Sequence, residues 1–407
     1  MEEGAFRLIT VEDYEEYVGA QTVERLLEKA RPLQGLHVAN VNSTYYGGGV
    51  AALLASMALL MNSLGIRTGW RVLQGTPDFF SITKKMHNAL QGDTVNLSRR
   101  KQEIYEKVVF ENSVRNHLDH DLVIIHDPQP LPMICHYKKK GPWVWRLHVD
   151  LTAPNPALWQ YLRKFIERYD AVIVSLDEYK QKLATPQVSF MPAIDPFTTQ
   201  NMELDEEEVE ERLRHYNIPT DLPLVVQVSR FDVWKDPEGV ICAFKEARKQ
   251  VDATLVLLGN VATDDPEGPM IYQKVLSHEE ERIKILSVQD SALVNALQKR
   301  AAVVFQKSLR EGFGLTVAEA MWKTTPVIGG NVGGIRYQIE DGVNGFLVSS
   351  VEEAADRLVR LLKDRKLRED MGVKARETVR EKFLLTRYLE QYLDMMNSFE
   401  TVYKLHM

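Results

Sequence analysis

The sequence has very few cysteines. Cys135 and Cys242 are the only two among 407 residues, and each lies in an apolar segment. Two cysteines so far apart do not make a zinc site or a disulfide framework, so we interpret both as small buried hydrophobic residues in a reducing compartment. The motifs H-E-x-x-H, G-x-S-x-G, C-x-x-C and Walker A are also missing. Their absence argues against the enzyme classes that these motifs mark.

Long apolar runs are missing too. The longest run, residues 51–61, is interrupted by Ser56, whereas a transmembrane helix needs about 20 apolar residues. The amino terminus, M-E-E-G-A-F-R-L, has neither the basic nor the apolar region of a signal peptide. A net charge of -7 argues against a general binder of nucleic acids or membrane surfaces. We therefore expect a cytoplasmic protein that binds neither nucleic acid nor a membrane.

Short apolar strands alternate with helical stretches in two successive sets. Pro192, Pro196 and a polar run at 198–202 separate the sets. We therefore predict domains at 1–196 and 197–383, with a helix from about 384 to 407 that crosses back to the first domain. The predicted strands are 36–41, 68–73, 122–125, 143–149, 171–174, 188–191, 224–228, 254–258, 283–286, 303–306, 326–328 and 346–348.

This alternation predicts an α/β fold, because strands joined by helices of 10–15 residues form parallel sheets with right-handed crossovers. Two sets of similar size predict two Rossmann-like domains with parallel sheets facing across a cleft. Ligands of open α/β sheets bind beyond the carboxyl ends of the strands. The cleft is therefore the expected binding site.

The stretch S-L-R-E-G-F-G-L-T-V-A-E-A-M-W, residues 308–322, passes from a loop into a helix. Gly312 and Gly314 remove side chains from the loop, so its backbone N–H groups can approach a ligand. The amino end of a helix favours phosphate. Glu311 and Glu319 bracket this junction, and their carboxylates suit hydroxyl groups. N–H groups that can bind phosphate therefore lie beside carboxylates that can bind hydroxyl groups. This combination favours a nucleotide-activated sugar as the ligand.

A structural alternative exists for part of this stretch. Thr316 and Glu319 have the spacing of a capping box, with Thr316 at the N-cap. Capping alone leaves Glu311 and the two glycines of the loop without an explanation. Both interpretations remain open from these residues.

The segment S-R-F-D-V-W-K-D, residues 229–236, directly follows a predicted strand. Arg230 and Lys235 lie five positions apart in this loop and can converge on one ligand. A guanidinium and an ammonium group together could neutralise a diphosphate leaving group without a metal. The alternative is a pair of surface cations beside Asp232 and Asp236.

The loop Y-Y-G-G-G, residues 45–49, lies between a strand and a helix. Glycine there permits close approach of a ligand to the helix. The segment is not a full G-x-G-x-x-G fingerprint, so an NAD site is not favoured, and a tight strand–helix turn remains the alternative. The segment G-N-V-G-G-I-R, residues 330–336, is a second such loop.

The segment R-L-H-V-D ends the strand predicted at 143–149. His148 and Asp150 alternate along it, so we expect both side chains on one face. A purely structural, hydrogen-bonded role is the alternative for each. His126 and Asp127, which follow the strand predicted at 122–125, form a similar pair with a weaker signal. The sequence D-H-D at 119–121 resembles a metal-binding D-x-D, but it precedes a strand, so we expect no metal site there.

Together these segments resemble the retaining glycosyltransferases of family 4, which have the GT-B fold. The markers are E-G-F-G-L-T-V-A-E-A-M at 311–321, S-R-F-D-V-W-K-D-P-E-G-V-I at 229–241 and D-G-V-N-G-F-L-V at 341–348. Within the family, N-S-T-Y-Y-G-G-G-V-A and W-R-L-H-V-D resemble the trehalose glycosyltransferring synthases and the related phosphorylases. The segment L-L-G-N-V-A at 257–262 departs from the family pattern. The resemblance therefore does not specify which residues contact the base of the nucleotide.

The resemblance implies a role for each matched position. Glu319 is expected to hold the ribose hydroxyls, and Glu311 the transferred sugar. The expected donor-binding residues are Gly48, Gly49, Arg230, Lys235, Glu311, Gly312, Phe313, Gly314, Leu315, Thr316 and Glu319. The expected acceptor-binding residues are Asn42, His148 and Asp150. The expected catalytic residues are Arg230, Lys235, Glu311, His148 and Asp150.

The resemblance also implies an activity. We expect a retaining glucosyltransferase that makes α,α-trehalose from UDP-, ADP- or GDP-glucose and free glucose. No cofactor is required by the sequence and no metal site is evident, which leaves room for stimulation by a divalent cation. The alternatives are a trehalose phosphorylase, with inorganic phosphate in place of the diphosphate, and a nucleotide-sugar binding protein without turnover. A homodimer is a further expectation.

Overall fold

The computed structural model describes residues 8–44, 49–259 and 268–404. The chain divides into two compact units. The first unit comprises Met1–Ala193 and Leu384–Met407, and the second comprises Ile194–Phe383. The borders predicted from the sequence were 196 and about 384; the chain passes between the two units after Ala193 and after Phe383.

The first unit contains one parallel sheet, with strand order β2-β1-β3-β4-β5-β6. Its strands are β1 (His37–Asn42), β2 (Arg67–Val72), β3 (Leu122–His126), β4 (Trp143–Arg146), β5 (Ala171–Val174) and β6 (Gln187–Ser189). Its helices are α1 (Glu15–Val18), α2 (Ala20–Ala30), α3 (Gly49–Ser63), α4 (Pro77–Leu90), α5 (Arg99–Arg115), α6 (Pro156–Ile166) and, from the end of the chain, α15 (Leu385–Lys404).

The core of the first unit follows from the apolar strands. Every residue of β3, β4 and β5 is buried, as expected for a parallel sheet that is covered on both faces. The largest buried side chains include Trp143 and Trp145 on β4. The returning helix α15 packs on α2, where Lys29 donates to Glu390 and Asp394 at 2.8 Å each.

The second unit has a parallel sheet with strand order β12-β11-β10-β7-β8-β9. Its strands are β7 (Leu224–Val228), β8 (Thr254–Gly259), β9 (Ile283–Ser287), β10 (Val303–Gln306), β11 (Val327–Gly330) and β12 (Gly345–Val348). Its helices are α7 (Glu206–His215), α8 (Pro237–Ala247), α9 (Gly268–Leu276), α10 (Ser291–Arg300), α11 (Leu315–Trp322), α12 (Ile335–Gln338), α13 (Val351–Lys363) and α14 (Arg365–Lys382).

Some predicted boundaries are wrong. The strand predicted at 143–149 ends at Arg146, and the strand predicted at 188–191 runs from Gln187 to Ser189. Cys242 was expected to be buried but lies on an exposed face of α8, whereas Cys135 is partly buried. Within the three described stretches of chain, none of the helices has the length and apolar character that crossing a bilayer requires.

Candidate active site

The second unit has its topological switch point between β7 and β10, the two central strands. The chain runs from β7 outward to β8 and β9, and from β10 outward to β11 and β12. Ligands of open α/β sheets bind at such a point, just beyond the carboxyl ends of the strands. The loop after β7 carries Arg230 and Lys235, and the loop after β10 carries Glu311. The fold therefore brings the two predicted donor segments to one place.

The two loops are connected directly. Lys235 Nζ donates to Glu311 Oε2, and Lys307 Nζ donates to Asp236 Oδ2. Between them, the backbone N–H of Leu309 donates to the carbonyl of Trp234 at 2.8 Å. Two ion pairs and one backbone bond thus fix the position of Lys235 relative to Glu311.

The carboxylate of Glu311 lies at the centre of a polar network. Its Oε2 also accepts from Ser308 Oγ at 3.2 Å and from Gln306 Nε2 at 3.4 Å. Gln306 Oε1 in turn accepts from Thr316 Oγ1 at 3.1 Å. Glu311 is buried, so these donors and Lys235 offset the cost of removing its charge from water.

The amino end of α11 differs from the predicted capping box. The N-cap is Gly314, with φ of 85°, and no side chain caps this end. Thr316 already lies inside the helix and bonds Gln306, so Thr316 as the N-cap was wrong. A left-handed N-cap without a side chain suits glycine, so no capping side chain competes with a ligand for the first N–H groups of this described helix.

The loop that follows β11 packs against the Glu311 loop without room for side chains. A Cβ at Gly334 would overlap the backbone of Phe313, and one at Gly330 would overlap the carbonyl of Ser308. Gln338 Nε2 donates to the carbonyl of Phe313 at 2.6 Å. The glycine loop at 330–336 therefore supports the Glu311 loop, because its glycines allow two backbones to touch.

Arg230 is placed less tightly than Lys235. It is half-buried, and its guanidinium lies 3.7 Å from the carboxylate of Asp232 in the same loop. The Asp232 carboxylate also accepts from the backbone N–H of Trp234 at 2.8 Å. The alternative predicted for the two cations, pairing with the aspartates of their own loop, is therefore seen for Arg230. Lys235 instead pairs with Glu311.

Glu319 lies in a different polar environment from Glu311. Its side chain is buried beside Gln200 and Gln298, and burial raises the pKa of its carboxyl group. Oε2 of Glu319 has no hydrogen-bond partner among the described residues. One turn later, Lys323 donates to Asn201 Oδ1 at 3.0 Å, and burial lowers the pKa of Lys323 to about 7.

In the first unit, the predicted acceptor residues make local contacts. Asn42 accepts from Trp70 Nε1 and donates to the carbonyl of Thr44, each at 2.7 Å. Oδ1 of Asp150 accepts from the backbone N–H of Thr152 at 2.8 Å and from its hydroxyl at 2.6 Å. Because β4 ends at Arg146, Asp150 lies beyond the strand, and the alternation argument for this segment was wrong.

His148 is held by the chain that follows β3. Its backbone N–H donates to Asp127 Oδ1 at 2.9 Å, and its ring contacts His126 with 3.0 Å between His148 Nε2 and His126 Nδ1. Gly49 is the first residue of α3 and is exposed. The predicted Gly48 lies outside the described residues.

Sequence reasoning missed several side chains that these networks use. Gln306 is the last residue of β10, Asn40 lies within β1, and Lys323 is buried near the end of α11. For Gln306, a polar residue in an otherwise apolar strand was the available signal, since buried polar groups need specific partners. Among the described residues, no group of three or more His, Cys, Asp or Glu side chains could hold a metal ion.

Comparison with known proteins gives two family matches. The model described as "Trehalose synthase, N-terminal domain" matches residues 40–181, and that described as "Glycosyl transferases group 1" matches residues 208–378. The trehalose synthase of Pyrococcus horikoshii is 43% identical over 398 residues, covering 95% of this chain and 96% of that protein. The trehalose phosphorylase of Pleurotus pulmonarius is 26% identical and covers 83% of this chain but 54% of that protein.

The fold has close structural relatives. The UDP-forming α,α-trehalose-phosphate synthase of Burkholderia xenovorans superposes with a TM-score of 0.72 at 14% identity, covering 89% of this chain and 99% of that one. The two parallel sheets and this likeness confirm the predicted GT-B class of α/β fold. The family matches and the 43% identity confirm the predicted glycosyltransferase family. The chain therefore belongs to the trehalose synthase family of group 1 glycosyl transferases.

Proposed function

We propose that this protein is a retaining glucosyltransferase that makes α,α-trehalose from a nucleoside diphosphate glucose and free glucose. UDP-, ADP- and GDP-glucose are the candidate donors. The 43% identity to a trehalose synthase over nearly the whole chain supports trehalose as the product. The name of the UDP-forming structural relative supports a nucleoside diphosphate as the leaving group.

The observation that carries the proposal is the Lys235–Glu311 pair beside the amino end of α11. An ammonium group has three N–H donors, and one of them is used by Glu311. The remaining donors can bind the oxygens of a diphosphate, with Arg230 as a second cation. Backbone N–H groups from Gly312 to Leu315 add neutral donors at a helix end that favours phosphate.

In the proposed reaction, the bond between C1 of glucose and the diphosphate oxygen breaks. The anomeric hydroxyl oxygen of free glucose forms the new bond to C1, and its proton leaves to solvent or to the departing diphosphate. Negative charge therefore grows on the diphosphate as the bond breaks. Lys235 and Arg230 would stabilise that charge, which is electrostatic catalysis by groups that are already in position.

The remaining predicted residues have proposed binding roles. Glu311 would hold the transferred glucose, and Glu319 the ribose hydroxyls. In the first unit, Asn42, His148 and Asp150 are the proposed acceptor contacts, and Gly48 and Gly49 the proposed diphosphate contacts. We propose that no metal is needed, because two cations and a helix end already supply positive charge; a divalent cation could still stimulate turnover.

Product analysis tests the proposal. Purified protein is incubated with each of the three nucleotide sugars plus glucose, with and without EDTA, and separately with trehalose plus inorganic phosphate. The expected products are nucleoside diphosphate and α,α-trehalose in equal amounts. We expect the same products when EDTA is present. Glucose 1-phosphate formed only from trehalose and phosphate would establish the phosphorylase instead. Binding of the donor without turnover would establish the non-catalytic alternative. The predicted homodimer stays a prediction that light scattering would check.

A further inference from the structure

Three side chains form a hydrogen-bonded row at the switch point of the sheet in the first unit. Asn40 lies on β1 and His126 ends β3, and these two strands pair directly. Oδ1 of Asn40 lies 3.0 Å from His126 Nε2, and His126 Nδ1 lies 3.0 Å from His148 Nε2. The two imidazole rings are nearly parallel, with 18° between their planes. Asn40 and His126 are buried, whereas His148 is half-buried.

The side-chain amide of Asn40 determines the direction of both hydrogen bonds in the row. The oxygen of Asn40 can only accept, so His126 Nε2 must carry a proton. A neutral imidazole has one N–H, which leaves His126 Nδ1 as an acceptor. The bond between the rings therefore requires a proton on His148 Nε2. Nδ1 of His148 is then the ring atom with a lone pair.

The surroundings favour uncharged rings. Burial and the nearby Arg146 guanidinium lower the pKa of His126 to about 3. Burial, Arg146, His126 and His87 lower the pKa of His148 well below its ordinary value. Arg146 lies on β4 and His87 on α4, while Asp127 accepts from the backbone of His148. Arg146 is itself buried, and within the described part of the chain its hydrogen-bond partners are Ser175 Oγ and the carbonyl of Phe190, neither of which is a carboxylate.

We infer that His126 is a positioning residue, which with Asn40 holds His148 as the Nε2–H tautomer, so that His148 Nδ1 accepts a hydrogen bond from a sugar hydroxyl. A tautomer fixed by the partner of the other ring nitrogen is a general device for histidine. The group bound at Nδ1 must then be a hydrogen-bond donor. A hydroxyl meets that requirement, whereas a fully ionised phosphate does not. The hydroxyl part of this inference rests on the proposed function; the tautomer part does not.

Nitrogen NMR of the full chain tests the tautomer without any substrate. The protein is labelled with ¹⁵N at its 10 histidines, and the His148 ring is assigned from the signal lost in His148→Gln. The expected spectrum at neutral pH shows His148 with a protonated Nε2 and an unprotonated Nδ1. A protonated Nδ1, or a doubly protonated ring, would overturn the inference.

Variants separate positioning from packing. His126→Phe removes the acceptor, so His148 should become a mixture of tautomers, and kcat/KM should fall about 10- to 100-fold, the loss of one oriented hydrogen bond. His126→Gln can offer an amide oxygen to His148 Nε2 and should restore the tautomer and part of the activity. His87→Gln removes a neighbouring titratable group outside the row and should leave the tautomer unchanged.

The outcomes for the two proposals are distinguishable. An unchanged tautomer in His126→Phe would refute the positioning role even if the enzyme makes trehalose. Conversely, a protein that makes no trehalose but shows the expected tautomer would refute the proposed function alone. If His126→Phe does not fold, Asn40→Leu supplies the same test, because it removes the oxygen that sets the direction of the row.

Discussion

Replacing Lys235 with alanine tests the donor site most directly. If Lys235 stabilises the departing diphosphate, its loss should lower kcat by about 10²- to 10³-fold. That range is the usual cost of removing one preorganised donor from a developing negative charge, about 2.7–4 kcal/mol. Lys235 is preorganised here because Glu311 and the Leu309–Trp234 backbone bond hold its loop.

The effect on folding should be smaller than the effect on turnover. Removal of one partner from a fully buried ion pair typically costs about 3–5 kcal/mol, because a charge is left without a partner. Without Lys235, Glu311 would still accept from Ser308 and Gln306. The pair is also partly exposed, with 18% of the Lys235 side chain accessible. We therefore expect a loss of about 1–2 kcal/mol in the free energy of unfolding.

The assay measures nucleoside diphosphate release and trehalose formation at saturating donor, with urea unfolding on the same samples. Arg282→Ala is the matched control, since it also removes a cation from a carboxylate, Asp221, at 2.9 Å. Arg282 directly precedes the edge strand β9 and so lies at the amino ends of the strands, whereas Lys235 lies beyond their carboxyl ends. We therefore expect an unchanged kcat and a loss of about 0–1 kcal/mol in stability. A folded Lys235→Ala protein with kcat within about tenfold of wild type, ~1.4 kcal/mol, would remove Lys235 from the mechanism.

Three further predictions concern the second unit. Gly334→Ala would place a methyl group against the backbone of Phe313; we expect a loss of about 1–3 kcal/mol in stability and a higher donor KM, and unchanged values for both would contradict the close packing. The pKa of Lys323 is lowered from 10.5 to about 7, so between these values the unfolded chain holds a proton that the folded chain lacks. The unfolding free energy of the wild type should therefore rise with pH relative to Lys323→Met, by at most about 1.4 kcal/mol per pH unit, and equal slopes in urea titrations at pH 7.5 and 9.5 would refute the shift. Glu319→Gln should raise the donor KM about tenfold or more with little change in the melting temperature, because the amide keeps the shape of the side chain and one acceptor oxygen but loses the charge; an unchanged KM would argue against a ribose contact.

The architecture could be predicted because its signal is long-range and repetitive. The strands 224–228, 303–306 and 171–174 were predicted with the bounds that the structure has. Their buried apolar residues are bounded by turns, and the alternation with helices implies parallel pairing. The convergence of Lys235 and Glu311 was predictable for the same reason, since both follow central strands of one parallel sheet.

The geometry of the loops beyond the strand ends was harder to predict from the sequence. The alternation of His148 and Asp150 assumed a strand as far as Val149, but β4 ends at Arg146. Asp127, with φ of 62°, turns the chain after β3 and accepts from the backbone of His148. A contact between two loops that are 21 residues apart depends on strand register, which no local pattern in either loop specifies.

Glu311 and Glu319 show most clearly what a shared motif leaves undetermined. Both belong to one stretch that the sequence presents as a pair of hydroxyl acceptors, yet their surroundings differ. Glu311 already has Lys235, Ser308 and Gln306 as donors. Glu319 is buried with one oxygen that has no partner among the described residues, and its pKa is raised by burial. Because that oxygen is buried, a ribose could reach it only after the carboxylate turns. Ribose hydroxyls would then supply the missing donors, so part of the donor's binding free energy would come from relieving the burial of an unsatisfied carboxyl group.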